Sequence, residues 1–130
     1  MDTRQFVAEH KITANVEPRD ANPNMASQNW DANHWLVTLK LGRRQFSVPF
    51  STGLALNEPN ASDVLDCLAS DASTEYYTTT FEEWADELGF DADSRTAYRS
   101  WQTTHRQTNR LKQFLGDELF NALLCDTDRL

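Results

Sequence analysis

The sequence is poor in residues that cross-link a chain or force it to turn. Its 130 residues include two cysteines, four glycines and four prolines. No apolar run approaches the roughly 18 to 20 residues of a membrane span, and the first ten residues, MDTRQFVAEH, lack the basic and apolar regions of a secretory signal. We therefore expect a cytoplasmic protein with no membrane contact. Cys67 and Cys125 are expected to be reduced thiols, although their redox state stays open.

A second absence is local. No lysine or arginine occurs between Gln45 and Ser94, and this segment contains eleven Asp and Glu residues. The remainder of the chain has nine acids and twelve bases, and the net charge is −8. Solvated helices usually mix both signs, because pairs four residues apart each stabilise a helix by about 0.2–0.5 kcal/mol. An unmixed acidic surface repels itself and therefore suggests a basic partner.

What is present indicates one globular domain over residues 1–130. The chain is 39% hydrophobic and 11% aromatic, and it contains four tryptophans. These values exclude a disordered chain and are sufficient for a hydrophobic core. No internal repeat or low-complexity tract divides the chain.

The first half of the chain has the period of β-strands. Residues 11–18 alternate apolar and polar, and residues 34–41 and 44–50 flank Gly42-Arg43, which predicts a hairpin. Pro49 lacks a backbone donor, so its strand is expected at a sheet edge. Residues 19–33 are predicted to form a long loop. The pattern favours a three-stranded antiparallel sheet.

The second half changes to helical period, so the predicted class is α+β, with the sheet packed against three to four helices. The helices are predicted from Asn60 or Ser62 to about Ala72, from Thr79 or Thr80 to Gly89, from Asp93 or Ser94 to Gly116, and over 117–125. Apolar positions at this spacing predict Leu88, Tyr98 and a packed His105 on buried faces. The other predicted core residues are Trp35, Phe46, Val48, Trp84, Trp101 and Leu111.

The acids of the first two helices are the candidate partner-binding residues: Asp63, Asp66, Asp71, Glu75, Glu82, Glu83, Asp86 and Glu87. A solvated face explains acids on a surface, and the helix dipole favours those in the first turn. It does not explain the absence of any cation over fifty residues. This absence is explained by a surface that imitates a nucleic-acid backbone or docks on a nucleic-acid-binding groove.

The third helix has a row of opposite charge, Arg95, Arg99, Arg106 and Arg110, at spacings of four, seven and four. This row is a second candidate contact surface. Two interpretations remain open: the arginines pair with the acidic helices of their own chain, or they stay available to a partner. The first is favoured narrowly, because the acidic segment is the only strongly acidic surface in the chain. The net charge argues against direct nucleic-acid binding.

Catalysis, metal binding and cofactor binding have little support in the sequence. Its three histidines belong to no recognisable triad, and no metal, phosphate or dinucleotide motif occurs. Asp91 to Ser94 resembles the start of a calcium loop, but Thr96 replaces its glycine and Gln102 its closing glutamate. A helix cap is predicted there instead. We expect no catalytic residue, no metal and no cofactor.

Parts of the chain resemble small acidic proteins encoded in phage and prophage genomes, a largely uncharacterised group. The resemblance covers residues 29 to 120 and rests on four stretches: Asn29-Trp30-Asp31, VPF at Val48 to Phe50, ASDVLDCLASDA at Ala61 to Ala72, and Gly89 to Asp91. Proteins of this kind include inhibitors of host defence, anti-CRISPR proteins among them. The resemblance transfers no catalytic residues.

Together, charge and resemblance favour a non-enzymatic inhibitor of a host defence system. It would act in the bacterial cytoplasm by binding a defence protein with a basic surface, such as a Cas effector complex, and blocking its access to nucleic acid. The alternative is a phage accessory protein that binds a DNA-metabolism or assembly partner. The effector, the CRISPR subtype and a homodimeric state all stay open.

Overall fold

The computed structural model describes residues 2–19, 32–53, 58–78 and 80–127. Within these ranges the chain forms five helices and three strands: α1 Thr3–His10, β1 Thr13–Pro18, β2 Ala32–Leu41, β3 Arg44–Gly53, α2 Ala61–Tyr77, α3 Phe81–Glu87, α4 Arg95–Leu115 and α5 Asp117–Asp126. The predicted α+β class is confirmed. No helix in the described part of the chain is long and apolar enough to cross a membrane. Most of the loop predicted at 19–33 lies outside the described residues.

The sheet is an antiparallel meander in the order β1-β2-β3, as predicted. Val37 of the central strand β2 pairs with Val16 on one side and with Val48 on the other. The predicted hairpin joins Leu41 to Arg44, and Gly42 supplies the left-handed φ of 60° that its turn requires. Pro49 lies in the outer strand β3, which confirms the edge position expected for it.

Helix α1 is an element that the sequence pattern did not predict. Asp2 begins it with a reciprocal capping box: its carboxylate accepts from the Gln5 backbone, and the Gln5 side chain accepts from the Asp2 backbone. Lys11 ends it in the left-handed conformation, with φ of 56°. The first strand therefore begins at Thr13 rather than at residue 11. Phe6 of this short helix is fully buried.

The helix ends settle the alternatives left by the sequence. Asn60, Thr80 and Ser94 are the N-caps of α2, α3 and α4, and each side chain accepts from the backbone three residues on. The cap at Ser94 agrees with a helix start rather than a calcium loop. Helix α2 is longer than predicted and extends to Tyr77 instead of about Ala72. Thr74 Oγ1 donates to the Ser70 carbonyl there, so a hydroxyl side chain is accommodated within the helix.

One face of the sheet and four of the helices enclose the main core. The strands contribute Val37, Leu39, Phe46 and Val48, and helices α2 and α5 contribute Val64, Leu65, Leu68, Phe120, Leu123 and Leu124. Apolar burial of this kind is the main favourable contribution to folding, about 25 cal/mol for each Å² removed from water. The fully buried side chains with the largest volumes are Phe6, Leu39, Leu65, Leu111, Leu123, Leu124, Val37 and Val64.

Several core predictions are wrong. Trp35 and Trp101 are only partly buried. Trp35 lies near the open end of the hairpin, where its Nε1 donates to Thr52 Oγ1 over 2.9 Å. His105, Leu88 and Tyr98 are exposed. Phe46, Val48, Trp84 and Leu111 are buried as predicted.

Candidate protein-binding surface

The first two acids of α2 have structural roles at its N-terminal end. Asp63 completes a capping box, because its Oδ2 accepts from the Asn60 backbone over 3.1 Å and its own N–H donates to Asn60 Oδ1. Asp66 Oδ1 accepts from Thr3 Oγ1 over 2.7 Å and so attaches α1 to α2. Both residues are exposed, so their outer surfaces still contribute negative charge.

Glu75, the last acid of α2, contacts α4, and Asp71 lies one turn before it. Glu75 Oε1 pairs with His105 Nδ1, and the Glu75 side chain is 16% exposed against 52% for His105. Asn109 Nδ2 lies 3.3 Å from His105 Nε2. An amide that donates to Nε2 leaves the ring proton on Nδ1, where it faces the carboxylate. Partial burial is the larger cause of a raised pKa at Asp71, and the negative charge of the neighbouring Glu75 raises it further.

Helix α3 presents its acids outward. Glu82, Glu83, Asp86 and Glu87 are all exposed, whereas Trp84 and Ala85 between them are buried. The seven residues FEEWADE therefore form a helix with one apolar face and four carboxylates on the remaining surface. Glu82 and Glu83 lie in the first turn, where the helix dipole stabilises them.

The eight predicted contact acids consequently divide into two groups. The acids of α3 form an exposed negative surface. Asp71 and Glu75 are partly buried, Glu75 at the α2–α4 contact, and only a partial surface of each reaches solvent. Sequence reasoning did not separate the groups, because helical spacing alone does not show which helix will cover another.

The arginine row of α4 makes no ion pair with a carboxylate within the described ranges, contrary to the favoured interpretation. Arg95, Arg99 and Arg106 are exposed. Arg110 is also largely exposed, but its guanidinium carbon lies 5.1 Å from the centroid of the Phe46 ring, so it contacts the sheet rather than an acid. The row is thus accessible as a second charged surface.

A group of rings joins α3 to the first half of α4, and we call it the aromatic cluster: Phe81, Trp84, Phe90, Tyr98 and Trp101. Trp84 stacks on Phe90 with 5.5 Å between ring centroids, and the edge of Tyr98 meets Phe81 at 5.1 Å. Trp101 lies 5.6 Å from both Phe81 and Tyr98. Trp84 is only 3% exposed and belongs to this cluster rather than to the main core.

The outer edge of the aromatic cluster is open to solvent. Leu88 and Phe90 are each 47% exposed and Tyr98 is 44% exposed, and these are the exposed large hydrophobic side chains in the described part of the chain. Sequence reasoning missed this patch because Leu88 and Tyr98 fall at core-like helical positions. A usable signal was Phe90 itself, which follows the positive-φ Gly89 and lies between acidic stretches outside any helix.

A separate concave region of about 790 Å³ lies where the N-terminal ends of α1 and α2 meet the end of β3. Its lining includes four carboxylates and one arginine: Asp2, Glu58, Asp63, Asp66 and Arg4. Three of those carboxylates already accept the capping and inter-helix hydrogen bonds described above. The region adds to the negative potential of the α2 side of the molecule.

The described residues offer no group of three or more His, Cys, Asp or Glu side chains arranged to hold a metal ion. Cys67 and Cys125 are unbonded and lie at the surface. Partial burial of the Cys67 thiol, with Asp71 and Asp66 nearby, raises its pKa. A raised pKa lowers the thiolate fraction and hence the nucleophilicity of this cysteine at neutral pH.

Comparison of the chain with protein-family models, with curated proteins and with solved structures found no match. A functional interpretation therefore depends on the charge, exposure and packing of the residues themselves.

Proposed function

We propose that this protein is a non-enzymatic inhibitor that binds a basic protein surface through its acidic helices. The observation that carries the proposal is the outward display of Glu82, Glu83, Asp86 and Glu87 on α3, within a segment that contains no lysine or arginine. Repulsion among carboxylates of one sign is relieved when a cationic surface approaches them. Basic grooves that bind nucleic acid present such a surface.

The proposed partner is a bacterial host defence protein whose function requires a basic groove, with a Cas effector complex as the leading candidate. The acidic surface alone would suit any nucleic-acid-binding protein with a basic groove. The resemblance to small phage proteins is the reason for proposing a host defence protein among them. An inhibitor of this kind acts in the cytoplasm and needs neither a metal nor a cofactor, because occupying the groove suffices to exclude the nucleic acid.

The test is protection of a targeted phage in bacterial hosts that carry active CRISPR systems of different subtypes. Expression of the protein is expected to restore plaque formation in at least one host. The variant Glu82→Gln, Glu83→Gln, Asp86→Asn, Glu87→Gln is expected to lose that effect. A matched variant, Glu9→Gln, Glu17→Gln, Asp117→Asn, Glu118→Gln, removes the same charge from exposed positions on α1, β1 and α5 and is expected to retain it.

In a second assay the inhibited effector is purified and its DNA binding is measured with increasing amounts of this protein. Competition is expected to weaken steeply with salt, because screening shortens from about 10 Å at 0.1 M to about 3 Å at 1 M. Equal activity of the two quadruple variants would show that α3 is not the contact. An absence of protection in every host, together with salt-sensitive binding to a DNA-metabolism protein, would favour the accessory role instead.

A further inference from the structure

Phe90 and Tyr98 both belong to the aromatic cluster, through Trp84 and Phe81, and Leu88 is two residues from Phe90; we call these three half-exposed side chains the apolar edge. Soluble chains rarely keep several large apolar side chains half exposed at neighbouring positions unless another molecule covers them. Their place is set by buried neighbours: Phe90 stacks on the buried Trp84, and Tyr98 lies one residue beyond the buried Ala97. The edge is therefore held in position before any partner arrives.

Three carboxylates flank Leu88 and Phe90 along the chain, and the backbone turns back on the end of α3, where the Gly89 N–H donates to the Asp86 carbonyl and the Phe90 N–H to the Ala85 carbonyl. Asp86, Glu87 and Asp91 are exposed and lie within a few residues of Leu88 and Phe90. Asp91 is ordered by its own turn, because its Oδ1 accepts from the Asp93 backbone over 3.0 Å. A purely aliphatic partner would remove water from these carboxylates without replacing their hydrogen bonds, which is unfavourable. A nucleic acid would be repelled.

Arginine is the side chain that can bind both the exposed aromatic ring and the carboxylates beside it. Its planar guanidinium stacks on an aromatic face and donates in the same plane to carboxylates at the ring's margin. Lysine supplies the charge, but its ammonium has no flat surface with which to stack. The chain itself contains such a contact, since the Arg110 guanidinium lies over the Phe46 ring.

The α4 side of the cluster differs in its charge. A cleft of about 490 Å³ between α3 and α4 is lined by Arg95 and Arg99 together with Glu82, Asp93 and Tyr98. Its two arginines and two carboxylates balance in charge, whereas the exposed carboxylates beside Leu88 and Phe90 lie in the segment that contains no lysine or arginine.

We propose that the apolar edge is the anchor of the partner interface and that the partner places an arginine-bearing segment across Phe90. This inference depends on the proposed function, because it names the part of the acidic surface that binds most strongly and the side chain that it binds. Anchors of this type, a few aromatic residues within a charged surround, supply most of the binding energy in many protein interfaces.

The first experiment uses nona-arginine and nona-lysine peptides as probes and follows the amide NMR signals of the ¹⁵N-labelled protein. Nona-arginine is expected to shift the signals of residues 86–98 and to bind more tightly than nona-lysine, which has the same charge. Phe90→Leu keeps an apolar side chain and removes the ring. It is expected to weaken nona-arginine binding by roughly two- to fivefold and to leave nona-lysine binding unchanged.

Three results would overturn the inference: equal affinities for the two peptides, nona-arginine binding unaffected by Phe90→Leu, or shifts confined to α2 and the concave region near Asp2 and Asp63. The melting temperature of Phe90→Leu is measured alongside, and chemical shifts away from residues 84–98 serve to show that the fold is retained.

The second experiment separates this inference from the proposed function. Phe90→Ala and Tyr98→Ala are assayed for phage protection beside the α3 quadruple variant and its charge-matched control. Phe90→Ala, Tyr98→Ala and the quadruple variant are each expected to lose protection, and the charge-matched control is expected to keep it. If the quadruple variant loses protection while the two aromatic variants keep it, the acidic surface binds without this anchor. If none loses protection, both proposals are wrong. Sedimentation that shows a dimer abolished by Phe90→Ala would assign the apolar edge to a second copy instead.

Discussion

His105 on α4 pairs through Nδ1 with Oε1 of Glu75 on α2, so an exposed imidazole gives a hydrogen-bond partner to a carboxylate that is largely buried between the two helices. The second oxygen of Glu75, Oε2, is buried and has no hydrogen-bond partner within the described residues. The pairing with His105 is thus the main compensation for placing Glu75 at this contact.

His105→Ala is expected to lower the free energy of unfolding by about 1–3 kcal/mol, because it leaves the buried carboxylate without its partner. The double variant His105→Ala, Glu75→Gln should recover part of that loss, since an amide is easier to bury than a carboxylate. Urea unfolding of the two single variants and the double variant measures the coupling. Additive changes would mean that the two residues do not interact.

The pH dependence of stability is expected to change at Asp71. Burial and the nearby Glu75 raise the pKa of this carboxyl in the folded protein above its usual value of 3.8. Between the pKa of the unfolded chain and the higher pKa of the folded protein, the folded state keeps a proton that the unfolded state has lost. Asp71 therefore lowers the free energy of unfolding as the pH rises through this range. Asp71→Asn removes the effect.

The Asp71→Asn variant should therefore gain stability relative to the unmodified protein between pH 3 and pH 7, and match it most closely at the acidic end. Melting temperatures across that range provide the measurement. Asp86→Asn, at an exposed position on α3, is the control. Parallel curves for Asp71→Asn and the unmodified protein would contradict the assignment.

Trp84→Ala is expected to cost about 3–5 kcal/mol, because it deletes a buried ring and leaves a cavity under the aromatic cluster. Phe90→Ala, which removes a half-exposed ring that stacks on Trp84, should cost only about 1 kcal/mol. Chemical denaturation compares the two. A loss below about 1 kcal/mol for Trp84 would mean that the cluster repacks around the missing indole.

The arginine row leads to a prediction opposite to the one that charge pattern alone favoured. Arg99→Gln with Arg106→Gln should leave stability unchanged, because neither side chain makes an ion pair in the described ranges. Arg110→Gln should cost about 0.5–1 kcal/mol through its contact with the Phe46 ring. Thermal unfolding distinguishes the cases, and a marked loss for the double variant would restore the internal-pairing interpretation.

Gly116 joins α4 to α5 with φ of 83° and ψ of 159°, a conformation that other residues rarely adopt. An added Cβ would lie 3.3 Å from Arg44 Nη1, which donates to the Phe114 carbonyl near the end of α4. Gly116→Ala is therefore expected to destabilise the protein by about 1–3 kcal/mol. Circular dichroism on heating tests this, and an unchanged melting temperature would show that the junction can relax.

The sequence predicted those features that depend on local chemistry. Alternation and the Gly42 turn placed the hairpin, and a hydroxyl or amide side chain placed each of the caps at Asn60, Thr80 and Ser94. Helix α1 was missed because eight residues contain too few apolar positions to establish a period. Its stability comes from Phe6 in the core and from Thr3 on Asp66, which are tertiary contacts.

The sequence predicted the charge of the candidate surface but not how its residues are arranged. The exposure of the α3 acids follows from the sequence, because a short helix with one tryptophan face exposes the rest of its surface. The partial burial of Glu75 against His105 depends on how two helices pack. The exposure of Leu88 and Tyr98 could not be predicted from helical spacing, which places both at core-like positions.

The position of α1 affects how this chain folds. α1, near the start of the described sequence, contacts α2 in the middle of the chain and α5 near its end. Such contacts have a large sequence separation, and the entropy lost in closing the intervening loops slows folding compared with that of a local helical bundle. Phe6 belongs to the same core as the buried residues of α5, so this core is complete only when α5 has docked. Until then an intermediate with the sheet and α2 formed would present unburied hydrophobic surface, which is the state most exposed to aggregation.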